Sequence, residues 1–270
     1  NSTFTDVNDG IDATGDVNVT GTDFDGVKGT AITGDDINVN NSTFTDVNDG
    51  IDATGDVNVN YTTFVGVNGT AITGYGVNVN NSTFIGVNDG IDALGDVNVT
   101  DTDFVGVNGT AISGNDVDVN NSTFVDVNDG IDALGDVNVT DTGFVGVDGT
   151  AIAGNNININ NTTVNDVDGT AIDAKGNATI KYSEINNVTG TVANADNMFI
   201  GNSTIDDING IVANSTANTF IAGSAITNVT GNVVNAGGNA NITDTFIADV
   251  NGTAVISNGT IMTINPIHIS

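Results

Sequence analysis

The chain has 270 residues, with 34 Asp and Glu against three Lys and Arg, a net charge of -31, 35 Gly, one Pro, no Cys and no Trp. Its only cations are Lys28, Lys175 and Lys181, so a nucleic-acid partner is excluded, because phosphate binding needs a basic surface, and an anionic membrane face is excluded on the same ground. The acid is Asp except for Glu184, the strong helix formers Leu, Lys and Gln are scarce, and no run reaches the ~20 apolar residues of a membrane span, which leaves a strand-rich chain with no membrane insertion in this segment.

Residues 1 to 20, NSTFTDVNDGIDATGDVNVT, recur at 41 to 60 with one change, and a looser copy, GTDFDGVKGTAITGDDINVN, lies between them. Self-similarity at a fixed period of twenty marks a solenoid, in which each unit packs only on its neighbours. No secretory signal is visible, and the sequence opens at Asn1 inside the repeat, so it reads as a processed chain or a segment of a longer one.

Three strands are expected in each coil. Val17, Asn18 and Val19, with copies Ile37, Asn38, Val39 and Val57, Asn58, Val59, alternate two inward side chains with one outward. A second strand carries one aromatic per unit, Phe4, Phe24, Phe44, Phe64, Phe84, Phe104, Phe124 and Phe144, followed by Val7, Val27 or Val47. The third is bounded by glycines and alternates between Gly10 to Gly15 in odd units and Gly29 to Gly34 in even ones. Alignment on those glycines sets Ile11 over Thr30 and Ala13 over Ile32, large on small at both inward positions. It also keeps Asp12, Asp52, Asp92 and Asp132 two coils apart, ~9.6 Å at the usual strand spacing, which is about one Debye length in physiological salt.

Beyond Asn160 the copies diverge but keep their frame, since Gly169, Gly190, Gly210, Gly231 and Gly252 recur at twenty or twenty-one residues, as do Val167, Val188, Ile208, Val229 and Val250. The expected fold is all-β, a right-handed parallel β-helix of about thirteen coils of ~20–21 residues. It forms one solenoid with near-identical coils over 1–160, divergent coils over 161–262 and a terminal strand, cap or junction at 263–270, which holds Pro266 and His268.

The string TTFVGVNGTAI at residues 62 to 72 resembles the repeats of pectate-lyase-like β-helices, and it is similar above all to adhesin-like surface proteins of methanogenic archaea. It also resembles the F-x-x-N and G-G-A-I repeats of polymorphic outer-membrane proteins. The resemblance spans nearly the whole chain and, with the abundance of Asp, Asn and Thr, leads to the expectation of an extracellular, cell-surface stalk, adhesin or filament component. Unpaired strand edges at an open coil end make other copies of the chain an expected partner beside surface polysaccharide. For a pectate-type lyase it implies a cationic base, usually arginine, which this chain lacks.

Catalysis needs a unique constellation, whereas every Asp of residues 1–160 belongs to a repeated set, so the chain is expected not to be an enzyme. The alternative is a polysaccharide-binding or polysaccharide-degrading β-helix, with Asp206 and Asp207 or Asp244 and Asp249 as paired carboxylates. No cofactor is expected apart from weakly bound calcium. Asp6, Asn8, Asp9 and Gly10 lack the spacing and closing Glu of an EF-hand loop, but the row Asp16, Asp36, Asp56, Asp96, Asp116 and Asp136, broken by Gly76 and Asn156, either caps turn N–H groups or holds hard cations between oxygens. Asn18, Asn38, Asn58, Asn78, Asn98, Asn138 and Asn158 are expected to form a ladder of amide bonds.

More than twenty N-x-S/T sequons occur, and Asn18, Asn41, Asn68, Asn81, Asn98, Asn108, Asn121, Asn138, Asn202, Asn214, Asn228, Asn241 and Asn251 are glycosylation candidates. A remote alternative is ice binding on the row Thr14, Thr33, Thr54 and Thr73, which ends at Leu94, Ser113, Leu134 and Ala153.

Overall fold

A computed structural model describes residues 2–264, and every regular element among them is a β-strand. Neighbouring strands pair parallel and in register one coil apart, so the chain is a parallel β-solenoid of about thirteen coils, in two compact units, Asn1–Gly135 and Asp136–Ser270. Asn1 and residues 265–270 lie outside the described residues, and with them most of the expected terminal segment. Thr263 and Ile264 belong to the strand Ile261–Ile264, which pairs with Ala240–Thr243.

A coil of the first unit has the three expected strands, as in Val17–Thr20, Thr22–Asp25 and Thr30–Gly34. Val17 and Val19 are buried while Asn18 and Thr20 are exposed, the alternation a half-buried strand requires. One left-handed residue turns the first strand into the second: Gly21, Asn41, Tyr61, Asn81, Asp101 and Asn121 all have φ between 48° and 60°. A second left-handed corner follows the second strand, at Asp6, Gly26, Asp46, Gly66, Gly86, Gly106 and Asp126. Gly, Asn and Asp tolerate this region because they lack a Cβ or bond locally through a short polar side chain. Tyr61 is the exception at the first corner.

The core of the first unit is built by stacking each residue on its own image. Phe4 to Phe124 form a column with ring centroids 4.6–5.0 Å apart and planes within 14°. Beside it runs a row of buried hydroxyls, Thr22, Ser42, Thr62, Ser82, Thr102 and Ser122. Thr62 donates its backbone N–H to Ser82 Oγ at 3.2 Å, and Ser82 Oγ donates to the carbonyl of Asn80 at 2.9 Å. The corner between the strands carries its polar backbone inward, and these hydroxyls satisfy what would otherwise be buried without a partner.

The third strand departs from the glycine alignment. Ile11 pairs with Ile32 and Ile32 with Ile51, while Gly34 lies opposite Ala53 and Asp12 and Asp52 flank Thr33. Large therefore stacks on large, and the expected Ile11 over Thr30 and Ala13 over Ile32 do not occur. The glycines serve two different purposes. A Cβ on Gly50 would lie 2.3 Å from the carbonyl oxygen of Ala71, whereas one on Gly69 would lie 2.1 Å from Asp49 Oδ1, an oxygen that accepts the N–H of Thr70 at 3.2 Å. Each odd-coil Asp thus caps the next coil and requires glycine above it, which gives the chain its two-coil alternation. The separation of Asp52 from Asp92 by Thr73 is as expected.

In the second unit the second and third strands merge into continuous twelve-residue strands, Thr163–Ala174, Glu184–Ala195, Thr204–Ser215 and Ala225–Ala236, so these coils have two strands where three were expected. The recurrent glycines allow it: Gly169, Gly190, Gly210 and Gly231 have φ between 134° and 154°, and a Cβ on Gly210 would lie 1.7 Å from the Gly190 carbonyl oxygen. The core is re-divided at constant pattern, for Phe144 pairs with Val164 and Val164 with Ile185, while Ile172 gives way to Ala193 as Val192 enters the core beside it.

Replacing Ser82 by Ala leaves the buried Thr62 N–H without an acceptor and is expected to lower unfolding free energy by ~1–3 kcal/mol. Ser82→Thr is expected to change it by less than ~0.5 kcal/mol, since Thr62 and Thr102 occupy the same place in adjacent coils. Urea unfolding of the two variants measures both.

Candidate functional site

The carboxylate row forms in the turn that leads into the first strand. Asp36 Oδ1 accepts the backbone N–H of Asp56 at 2.9 Å, Asp56 Oδ1 that of Gly76 at 3.1 Å, and Asp96 Oδ1 that of Asp116 at 3.3 Å. In the second unit Asp136 Oδ1 accepts the N–H of Asn156 at 3.1 Å. Asn156 then does the same for Asn177, Asn197 for Asn218, Asn218 for Asn239 and Asn239 for Thr260. An amide oxygen replaces a carboxylate oxygen with the geometry unchanged. Capping accounts for the row, and charge is not needed for it. Asp16 begins the row on the exposed surface. No cluster of three or more His, Cys, Asp or Glu side chains arranged for a metal occurs among the described residues.

The surroundings of Asp136 tune its carboxyl. The backbone N–H of Asn156, then its side-chain amide and, more weakly, the Asn155 amide hold its carboxyl below the ordinary carboxylate range, against a small opposing effect of desolvation.

The expected asparagine ladder forms from Asn38 onward, while Asn18, paired in register with Asn38, is not joined to it by an amide bond among the described residues. Asn58 donates to Asn38, Asn78 to Asn58, Asn98 to Asn78 and Asn158 to Asn138, each at 3.0–3.1 Å. Asp118 takes the ladder position after Asn98. A second ladder that the repeat pattern did not suggest joins Asn194, Asn214 and Asn235 on the outer side of the long strands.

The sequons fall into five settings. Asn18, Asn98 and Asn138 stand in the first-strand column. Asn41, Asn81, Asn121, Asn202 and Asn228 sit at left-handed corners, where Asn121 donates to Asp101 and Asn228 to Asp206. Asn68, Asn108 and Asn251 are exposed around the junction of the second and third strands. Asn214 belongs to the second ladder, and Asn241 lies between Phe220 and Met262, where its buried Oδ1 has no partner.

The expected carboxylate pairs of the divergent part have structural roles instead. Asp206 accepts from Thr227 and Asn228, Asp207 and Asp249 occupy left-handed corners after the second strand, and Asp244 occupies one before it. The threonine row is broken by the true register, since Thr33 and Thr73 lie between aspartates while Thr54 Oγ1 donates to Asp35. An ice-matching array is not formed there.

Shallow grooves lie on the outer faces. In the first unit one of about 250 Å³ is walled by Leu94 and Leu134, which are 81% and 76% exposed, with Asp92, Ser113 and Asp132 at its base. Another, of about 300 Å³, is lined by Asn58, Asn60, Asn78, Asn80, Asn98 and Thr100. In the second unit one of about 230 Å³ holds Asp148, Asp166 and Asp168, and both oxygens of Asp166 already accept amide N–H groups, from Asn165 and Asn187.

No protein-family model matches the sequence, and no curated protein is similar to it. Among solved structures, the crystal structure of the Agl-KA catalytic domain is similar at a TM-score of 0.35 and 14% identity. The alignment covers 99% of this chain and 61% of that one, so the chain spans about three fifths of that neighbour's length. A likeness this distant carries no functional argument.

Because the folded-state value of Asp136 is depressed, its contribution to stability is present above the ordinary carboxylate range and is lost as pH falls through its own lower value. Asp136→Asn is therefore expected to unfold with a weaker acid dependence below about pH 4. NMR titration of the parent is expected to find Asp136 protonating below Asp residues that lack such donors.

Proposed function

We propose that the chain is a non-enzymatic, extracellular β-solenoid, a rigid stalk, adhesin or filament component of a microbial surface, whose partners are other copies of itself or surface polysaccharide. The observation that supports this reading is the use to which its polar side chains are put. The carboxylates and amides that an enzyme would reserve for substrate are engaged in caps and ladders repeated from coil to coil. A surface that repeats itself suits mechanical continuity and multivalent contact better than single-site chemistry. Self-association follows from the same property, because a coil that stacks on its near-identical neighbour can stack on the coil of another molecule. Exposed sequons and the resemblance to adhesin-like repeats support an extracellular location.

Electron microscopy of the purified chain is expected to show fibres or bundled rods, and polysaccharides incubated with it are expected to release no reducing ends. Isolated particles at every concentration overturn self-assembly, and released reducing ends overturn the non-enzymatic reading. Weak calcium binding along Asp16, Asp36, Asp56, Asp96, Asp116 and Asp136 belongs to the same proposal, as neutralisation of stacked charge. Millimolar calcium is expected to raise the melting temperature more than sodium chloride of equal ionic strength, and equal effects of the two salts overturn it.

A further inference from the structure

We propose that the amide-lined groove on the first-strand face of the first unit, together with Tyr61 at the corner that follows its Asn60, binds an uncharged polysaccharide. The proposal deepens the reading of surface polysaccharide as a partner and rests on that part of it.

The groove combines donors and acceptors in a fixed grid. Asn58, Asn78 and Asn98 stack in register beside Asn60, Asn80 and Thr100. Successive coils stand ~4.8 Å apart, and residues two apart along a strand ~6.6 Å. Each carboxamide carries two N–H donors and an oxygen with two lone pairs. The ladder uses one N–H and one lone pair of Asn58 and of Asn78, leaving one of each on both residues. Among the described residues, Asn80 Oδ1 accepts from the neighbouring Asn81 amide alone, and the carboxamide of Asn60 makes no hydrogen bond. The donor and acceptor of a single carboxamide can bond one pair of vicinal hydroxyls, which both donate and accept, and the grid repeats that pair from coil to coil.

Charge selects the occupant. Residues 57 to 88 hold no ionisable acid or base apart from Tyr61 and Tyr75, in a chain of net charge -31. Asp56, Asp89 and Asp96 flank that stretch and repel an acidic glycan, while a cationic partner finds stronger attraction on the carboxylate-rich coils elsewhere. A second copy of this chain brings the same net negative charge and is disfavoured at this face.

Tyr61 supplies the apolar element. It follows Asn60 directly, is 59% exposed, and has φ 50° at a corner where the neighbouring coils use Gly21, Asn41, Asn81, Asp101 and Asn121. A bulky side chain in the left-handed region is strained, and the neighbouring coils turn the same corner with Gly, Asn or Asp. An exposed phenol beside free amides offers a face for the C–H side of a pyranose and a hydroxyl for its rim.

The test uses the full chain and soluble hexasaccharides of neutral series, cello-, laminari-, malto-, manno- and chito-oligosaccharides, with oligogalacturonate as the charged control, read by calorimetry and by side-chain amide NMR. At least one neutral probe is expected to bind at millimolar or tighter affinity and to shift the amides of Asn58, Asn60, Asn78 and Asn80. Tyr61→Asn is expected to weaken it at least five-fold while melting no lower than the parent, because Asn41 and Asn81 already fit that corner. Asn78→Asp, which the column accommodates at Asp118, is expected to abolish binding, and Tyr182→Asn, which relieves the same strain in the other unit, to leave it unchanged. Absence of binding by every neutral probe, unchanged affinity in Tyr61→Asn, or equal affinity for oligogalacturonate overturns the proposal. None of these results depends on whether the chain forms fibres or releases reducing ends, so the two readings fail separately.

Discussion

The parallel ladder between coils is the constraint from which the other features follow. Because the backbone of each coil hydrogen-bonds in register to the next, every side chain is placed about one strand spacing from its own image, and the sequence must choose residues that tolerate themselves. Phe on Phe gains offset aromatic contact, Ile on Ile gains dispersion, and Asn on Asn gains a hydrogen bond. Asp on Asp gains nothing. The chain manages its 34 acidic residues by two devices, alternation with Thr or Gly and capping of the next coil's N–H. In the second unit the capping row becomes neutral, as in Asn156, Asn197, Asn218 and Asn239, which cap without charge.

The same constraint explains why so little of the polar surface is idle. A narrow solenoid has two tight corners per coil, and each corner turns backbone groups away from the ladder. The buried hydroxyl row of the first unit serves one corner, and in the second unit Thr162, Ser183, Ser203 and Ser224 continue it, with Ser183 and Ser203 donating their N–H groups to the hydroxyls of Ser203 and Ser224. Hydroxyls suit the place because they donate along the coil and accept between coils at once. Aliphatic residues of similar size would leave N–H groups buried and unpaired in several coils together.

Much of this was legible in the sequence where one position carried one role. The alternation of Val17, Asn18 and Val19 fixed which side chains enter the core, and a twenty-residue repeat of Asn18 sufficed to foresee a ladder. The register of the third strand was not legible, because its glycines look equivalent and are not: Gly50 clears a carbonyl and Gly69 clears a carboxylate. Aligning them displaced the pairing by two residues, setting Ile11 on Thr30 where its partner is Ile32. The hydroxyl row had a visible signal, a Ser or Thr at the second place of every early unit, but burial there depends on corner geometry that the pattern does not encode. The merger of strands in the second unit was hidden for a related reason, since Gly169 and Gly210 keep the period of the earlier glycines while adopting a different φ.

In a molecule made of self-images, information about specific contact resides at the positions that break the image. Repetition supplies an internal control, because a residue that differs from its equivalents one and two coils away is not needed by the ladder, the corner or the core. Tyr61 departs from Asn41 and Asn81, Gly76 from Asp56 and Asp96, and Leu94 and Leu134 from Thr14 and Thr54, all at exposed or partly exposed sites and all in the direction of lower charge or greater apolar area. These four lie within residues 61 to 134 of the first unit, while the second coil departs in the direction of charge, with Asp25 and Lys28 where later even coils have Val65 and Asn68. Polar equivalents occupy the same sites without disturbing the stack, so the fold leaves these positions free to serve contact, and the glycan proposed above would give the four changes a physical cause.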